Sequence, residues 1–388
     1  MLTTRKDWVR EVSGALGDIG TLLPLSLGAI AVAGLAPVPV LLGFAVFYIA
    51  TGLYYRLPIP VQPMKAVAAV LLTTQVSHES LVASGILIGA IMLLLGVTGW
   101  INRVARLVPG SILSGLQLGL GLLLAGMSLG LMATSWLAGL ATLLVLVFIL
   151  WRLPAWPATL IGLAVSLAVG AVTGSPGLSL AMPDSVAFHW PELPGLSDWQ
   201  QGFSVLALPQ LALTLTNAIL LTALLAGDYF GEQAHRVSPA RLSLSTGLAN
   251  LCLVPFGALP MCHGAGGLAA HYRFGARTGV APVLLGAGLL LVALMPGGLS
   301  VIAAIPAAGL GALLLVAAVE LASSKRLWTA RPSCWPVIGV TALVTVWADP
   351  VFGLLAGMIA EVLRAASTLG NLLPAHPSCW EQGCCWWL

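Results

Sequence analysis

Two short segments carry the groups with which this chain could do chemistry. In PVQPMKA (Pro60 to Ala66) the Gln62 amide and the Lys65 ammonium follow closely spaced prolines, and in LPMCHGAGG (Leu259 to Gly267) His263 precedes Gly264, Ala265, Gly266 and Gly267. No bond-making constellation accompanies them. The chain has no GxxxxGK[ST] phosphate loop, no HExxH helix and no zinc-type cysteine spacing, and GDIG and GAGG lack the strand-and-helix setting of a nucleotide fold. An enzyme is not expected, nor a cofactor or metal. What these residues can do is hold an anion. Proline biases the residue before it toward extended backbone, so each segment reads as extended chain running into a helix start. The first turn of a helix leaves N–H groups without partners, and its aligned peptide dipoles place about half a positive charge there. Lys65 adds a full charge at the first such end, and glycines at 264, 266 and 267 would let an oxyanion touch the backbone at the second.

The elements that position these groups must be abnormally short. From Pro63 to Thr74 is 12 residues, roughly 18 Å of helix at 1.5 Å per residue, and the stretch between His263 and HYRFGAR is shorter still. Neither crosses about 30 Å of hydrocarbon. Each therefore reads as a half-helix preceded by extended chain, which survives at membrane depth only where it lines a cavity or is buried in protein. Gln62, Met64, Lys65 and Ala66 at the first half-helix, with His263, Gly264, Ala265 and Gly266 at the second, are the candidate substrate-binding residues. Asn217, flanked by Thr214 and Thr216 in another apolar segment, joins them as a candidate cavity-lining group. Asp18 and His263 are candidates for carrying a coupling ion.

Composition demands a bilayer around these elements. Of 388 residues 59% are apolar, 7% are charged and 44 are glycine, and the mean hydropathy is +1.01. Soluble domains carry roughly a quarter charged residues, so this chain cannot cover a water-facing surface. A β-barrel is excluded as well, because its strands alternate, whereas Leu143 to Leu150 is apolar on every side. Candidate spans lie at 13–31, 37–55, 62–74, 81–100, 108–130, 136–150, 157–174, 205–226, 241–259, 263–271, 280–296, 301–321, 335–347 and 350–366. With the amino terminus inside, fifteen of the sixteen basic residues fall in or beside cytoplasmic segments, while Glu79, Asp184, Glu192, Asp198 and Asp349 fall outside. Both termini are therefore expected in the cytoplasm, in a bacterial-type inner (plasma) membrane. The exception is Lys65, within an apolar segment. The amino terminus lacks a signal-peptide pattern, because its first apolar run contains Asp18.

An internal repeat organises the spans. Asp18 matches Asn217, Pro60 matches Pro260 and Pro109 matches Pro306, at offsets of 199, 200 and 197. The expected organisation is a first repeat over 1–176 (spans 1–7), an extracytoplasmic linker over 177–204, a second repeat over 205–370 (spans 8–14) and a cytoplasmic tail over 371–388. Seven crossings on either side of the linker invert the second half. The half-helices, the third and tenth spans, then approach the midplane amino end toward amino end.

Several polar residues have quieter readings. Lys65 could snorkel to the interface or neutralise Asp18, and a structural pairing of Asp18 stands beside a coupling role. His263 is equally well read as a hydrogen-bonded packing residue or as a group titrating near neutral pH. Thr214 and Thr216 could bond back to their own helix, Gln117 to brace packing, and Glu320 and Glu361 to contact Lys325, Arg326 or Arg364. Glycine faces such as GLQLGLGLLLAG mark close helix packing. The tail HPSCWEQGCCWWL, with Cys379, Cys384 and Cys385, reads as a Trp-rich interfacial end rather than a metal or palmitoyl site.

The motifs GALGDIGTLLPL, PVQPMKAVAAV, LTNAILLTALLAGDYFG and LPMCHGAGGLAAHYRFGARTG resemble those of the molybdate transporter family, relatives of the SulP sulfate transporters. The resemblance covers both halves and implies an all-α polytopic membrane fold of seven plus seven inverted spans. It also implies a core and a gate domain, with substrate held between the third and tenth spans. The cytoplasmic domain that SulP transporters add after the last span is not expected here. Nucleobase transporters share the architecture but look to carboxylates in the eighth and tenth spans; the matching Asn217 and His263 are not acidic. The expected function is secondary active import of a tetrahedral oxyanion, molybdate first and sulfate second, by alternating access, with proton symport an open coupling. A passive anion channel is second and a nucleobase:cation symporter third. Expected partners are the oxyanion and the bilayer, with a homodimer left open and no nucleic acid.

Overall fold

The computed structural model describes residues 5–101, 103, 109–153, 156–178, 194–323 and 325–370. Asp184, Glu192, Arg106 and the cysteine-rich tail lie outside the described residues. Helices occupy all fourteen expected positions. The first span is Arg5–Ala15, a tight turn at Leu16–Asp18, and Ile19–Val32. It is followed by Pro37–Tyr55, Lys65–Thr73, His78–Thr98, Gly110–Met132, Trp136–Arg152 and Ala158–Thr173. The second half has a composite helix over Leu196–Arg236, then Pro239–Leu253, Ala265–Arg273, Val280–Leu294, Ala307–Ala322, Trp335–Trp347 and Pro350–Gly370.

Local chemistry sets the boundaries. Ser77 accepts from the Ser80 amide at 3.1 Å and Ser238 from that of Arg241 at 3.3 Å, each capping a helix start. Pro37 and Pro239 stand in first turns, where no N–H is missed. Gly99 and Gly174 leave their helices in the left-handed conformation. Among the described residues five helices are long and apolar enough to cross a membrane by length and composition. Outer faces are apolar in these and in the shorter helices alike: Leu94 and Val97 in His78–Thr98, Leu144 and Phe148 in Trp136–Arg152, and Leu343 and Trp347 in Trp335–Trp347 are all exposed. Helices apolar all round belong among lipid tails, and this is an integral membrane protein.

Three sets of helix contacts stand out. Pro37–Tyr55 lies against Val280–Leu294, His78–Thr98 against Pro239–Leu253, and Gly110–Met132 packs on both Ala307–Ala322 and Trp335–Trp347. Glycines permit the close approach: a Cβ on Gly115 would lie 2.5 Å from Thr341 Cβ, and one on Gly119 2.6 Å from Thr345 Cβ. The first of these pairings becomes the second when residue 37 is advanced by 202, to 239, and residue 280 is set back by 202, to 78. Pro109 and Pro306, matched in the sequence, both cap helix starts, with φ and ψ of −62° and 140° in one and −61° and 137° in the other.

Two elements differ from the sequence expectation. The eighth span starts at Leu196, inside the expected linker, and contains π-helical turns at Gly202–Ala207 and Thr214–Leu221. These hold an extra residue per turn, which apolar periodicity does not reveal. The twelfth is interrupted, with Gly298–Ala303 separated from Ala307–Ala322 by Pro306, whose ring cannot continue a helix.

Candidate functional site

The two proline segments meet. Gln62–Pro63 and Met261–Cys262 form a two-stranded antiparallel ladder, Gln62 opposite Cys262 and Pro63 opposite Met261, and the Met64 amide donates to Pro260 O at 3.0 Å. Each strand leads into a nine-residue helix, Lys65–Thr73 or Ala265–Arg273, about 13 Å long. Met64 and Gly264 stand at the helix starts in extended conformation, and neither supplies a side-chain cap. Because the strands run in opposite directions, two helix amino ends open from one ladder.

Asp18 is the hub behind this ladder. Its carboxylate accepts from the Tyr48 hydroxyl through Oδ2 and from the Gln62 amide through Oδ1. His271 Nε2 stands 3.9 Å from Oδ2, with both side chains fully buried. The tight turn Leu16–Asp18 aims the carboxylate inward, and burial leaves it only these protein partners.

Gly264 and Gly267 serve this hub. A Cβ on Gly264 would overlap Gln62 Oε1, and one on Gly267 would lie 2.5 Å from Asp18 Oδ1 and 2.6 Å from Gln62 Nε2. Their missing side chains make room for the Gln62–Asp18 pair, which corrects the expectation that every glycine of this stretch faces an oxyanion. Gly266 is different: it is exposed, and outside its own helix no atom of the described residues would lie within 4 Å of its Cβ. Ala265 is buried beside it.

His263 is bound on both nitrogens. Nδ1 donates to Pro60 O at 2.9 Å, since a carbonyl only accepts, and Nε2 lies 2.7 Å from Ser245 Oγ, itself 2.8 Å from the Tyr55 hydroxyl. The rings of Phe47 and Tyr55 pack against it. These bonds make His263 a brace for the ladder and revise its expected coupling role; the histidine beside Asp18 is His271.

Lys65 is half-buried at the first position of its helix and makes no ion pair among the described residues. Its charge reaches Asp18, Cys262 and Glu320. Met64 and Ala66 are fully buried, and their amides already donate, to Pro260 O and to Gln210 Oε1. Asn217 is half-buried in the π turn Thr214–Leu221, which packs on Ala265–Arg273. Thr216 bonds back to Ala212 O at 3.1 Å. Glu361 pairs with Arg364 at 2.6 Å, as expected.

Three groups at the site escaped the sequence reading. Tyr48 carries no pattern that marks it. His271 lies four residues after Gly267, on the same helical face, and that spacing could have found it. Gln210 sits four before Thr214 and seven before Asn217, a polar stripe at helical spacing. Its Oε1 accepts from the Ala66 amide at 2.8 Å and the Val67 amide at 3.4 Å.

The sequence profile described as "Molybdate transporter of MFS superfamily" matches residues 10–124 and 202–321. "Molybdate transporter 2" of Arabidopsis thaliana is 29% identical over 411 residues, covering 92% of this chain and 88% of that protein. "Molybdate transporter 1" of Chlamydomonas reinhardtii is also 29% identical, covering 93% of each. Among solved structures, the transmembrane domain of the cyanobacterial bicarbonate transporter BicA superposes with a TM-score of 0.68 at 15% identity, over 92% of this chain and 98% of that one. SLC26A9 gives 0.70 at 14%, over 94% and 66%. These likenesses show the fold to be that of the SLC26 and BicA transporters. The profile spans both half-helices and more than half of the sequence: the chain belongs to the molybdate transporter family and is a transporter rather than an enzyme.

Proposed function

We propose that the protein imports a tetrahedral oxyanion, molybdate first and sulfate second, by alternating access in a bacterial-type inner membrane with both termini cytoplasmic. The observation that carries this reading is the pair of nine-residue helices opening from one antiparallel ladder, with Lys65 on the first residue of one of them. Two helix amino ends contribute about one positive unit between them and Lys65 another, which matches a dianion. Lys65 has no competing ion pair among the described residues, and Gly266 leaves its surroundings open. The likeness to relatives named as molybdate transporters supports putting that anion first.

The two halves enter the membrane inverted, in seven plus seven spans. The shift of 202 between helix pairings and the matched proline caps support this arrangement. Core and gate then rock about the site. The coupling ion is a proton on the Asp18–His271 pair: both groups are buried, and the ring's Nε2 has no hydrogen-bond partner.

The test is uptake of labelled molybdate into proteoliposomes, with sulfate, tungstate and uracil as competitors. Saturable uptake suppressed by the oxyanions and not by uracil is expected. Flux that ignores a proton gradient and exceeds carrier turnover would instead make the protein an anion channel. Competition by uracil alone would make it a nucleobase symporter.

A further inference from the structure

The amides at the start of Lys65–Thr73 are already occupied. Gln210 reaches them from a helix 144 residues away in sequence, with its side chain buried, and its Oε1 accepts from Ala66 at 2.8 Å and Val67 at 3.4 Å. We propose that Gln210 is a substrate-mimicking cap that sets the transporter's affinity: it holds, in the empty protein, the N–H groups that the oxyanion takes in the loaded one. The inference rests on the anion site proposed above.

A helix amino end buried without acceptors is costly, and Met64 offers no side-chain cap. An amide oxygen satisfies the N–H groups yet brings no net charge, so it leaves the positive potential of the helix end in place. A dianion offers both an acceptor and the missing charge. It therefore displaces the amide, whereas a carboxylate at position 210 would hold its place. The bond that orients the cap also suggests how it leaves. Gln210 Nε2 donates to Thr214 Oγ1 at 2.9 Å, and Thr214 begins the π turn Thr214–Leu221 that carries Asn217. Gln210 itself lies in the six-residue α segment Leu208–Leu213 between two π turns. Moving the extra residue of a π turn past this segment would turn its side chains by about 100°, the angle of one residue, swinging Oε1 off the helix end.

The experiment measures direct molybdate binding to purified wild type, Gln210→Ala, Gln210→Asn and Gln210→Glu, each checked by size exclusion. Removing the competitor should tighten binding by about three- to tenfold in Gln210→Ala, the worth of one net hydrogen bond. Gln210→Asn, one methylene too short to reach Ala66, should move the same way and stands in for alanine if that variant does not fold. Gln210→Glu should bind at least about tenfold more weakly, since a charge-assisted bond is roughly twice as strong as a neutral one. Unchanged affinity in the alanine and asparagine variants would make Gln210 a structural brace, and weaker binding would make it a substrate ligand; either overturns the cap. Wild type that binds neither molybdate nor sulfate would remove the oxyanion reading itself, and the cap with it.

Discussion

His271 turns a bare ring nitrogen toward Asp18. Its Nδ1 lies 2.7 Å from Gly14 O, which can only accept, so the hydrogen of a neutral ring is on Nδ1 and the Nε2 lone pair faces the Asp18 carboxylate at 3.9 Å. The carboxylate it faces is held by the Tyr48 hydroxyl and the Gln62 amide, and the whole cluster is buried, where a charge is felt most strongly.

The first prediction follows from that geometry. Wild-type uptake should rise as outside pH falls from 8 to 5, and Asp18→Asn and His271→Gln should each flatten the rise. His263→Gln should keep the rise while lowering thermal stability, because it breaks the bonds to Pro60 and Ser245. Uptake at stepped pH, with and without an uncoupler, decides it. A wild type indifferent to both treatments ends proton symport, and flattening by the His263 variant alone returns coupling to that residue.

Lys65→Ala should abolish oxyanion binding with little change in melting temperature, since its ammonium makes no ion pair among the described residues. Lys65→Arg should recover little, because a planar guanidinium replaces a compact point charge. Equilibrium binding with a melting curve on the same samples is the check. Uptake equal to wild type in the alanine variant would take Lys65 out of the site.

Much of this fold is written in the sequence because the constraints on spanning a bilayer are few. Length and hydropathy mark Pro37–Tyr55 and Trp335–Trp347 to the residue, and proline before a short apolar run marks both half-helices. The wiring among side chains is less legible. Gly264, Gly266 and Gly267 look alike as letters, but only the folded chain shows two of them pressed on Gln62 and Asp18 and the third in the open. His263 and His271 likewise differ in what surrounds them, and pairing across 253 positions in sequence, from Asp18 to His271, leaves no local pattern. The π turns around Gln210 leave no mark either, because the stripe of Gln210, Thr214 and Asn217 fits ordinary helical spacing as well.

A third prediction concerns the junction at the surface. The Asp198 carboxylate accepts from Ser77 Oγ at 2.9 Å, Ser80 Oγ at 3.1 Å and the Gly195 amide at 3.0 Å. The Ser77 hydroxyl above all holds its carboxyl below the usual range. A lowered folded value contributes stability above the unfolded value, near 4, and loses it as pH falls through the folded one. Asp198→Asn should therefore melt below wild type at pH 5 to 7, and the gap should close in acid below about pH 4. A gap unchanged by acid would show that the carboxylate's charge plays no part in the junction.

The last prediction separates the glycines by what surrounds them. Gly267→Ala should destabilise the protein, because its methyl would meet Asp18 and Gln62 at 2.5 and 2.6 Å, and buried overpacking typically costs about 1–3 kcal/mol. Gly119→Ala should incur a cost of the same kind, leaving affinity nearly unchanged, because the groups its methyl would meet, Thr345 and Ala342 O, lie in Trp335–Trp347 and not at either half-helix start. Gly266→Val is the informative variant. Outside its own helix no atom of the described residues would lie within 4 Å of its Cβ, so it should fold like wild type and yet lose molybdate binding, since two methyls would stand where the oxyanion approaches the second helix end. Size exclusion and melting curves come first, then direct binding to all three. If Gly266→Val folds and binds as well as wild type, the second half-helix does not touch the anion. Lys65 and the amides of Ala66 and Val67 would then hold it from one side alone.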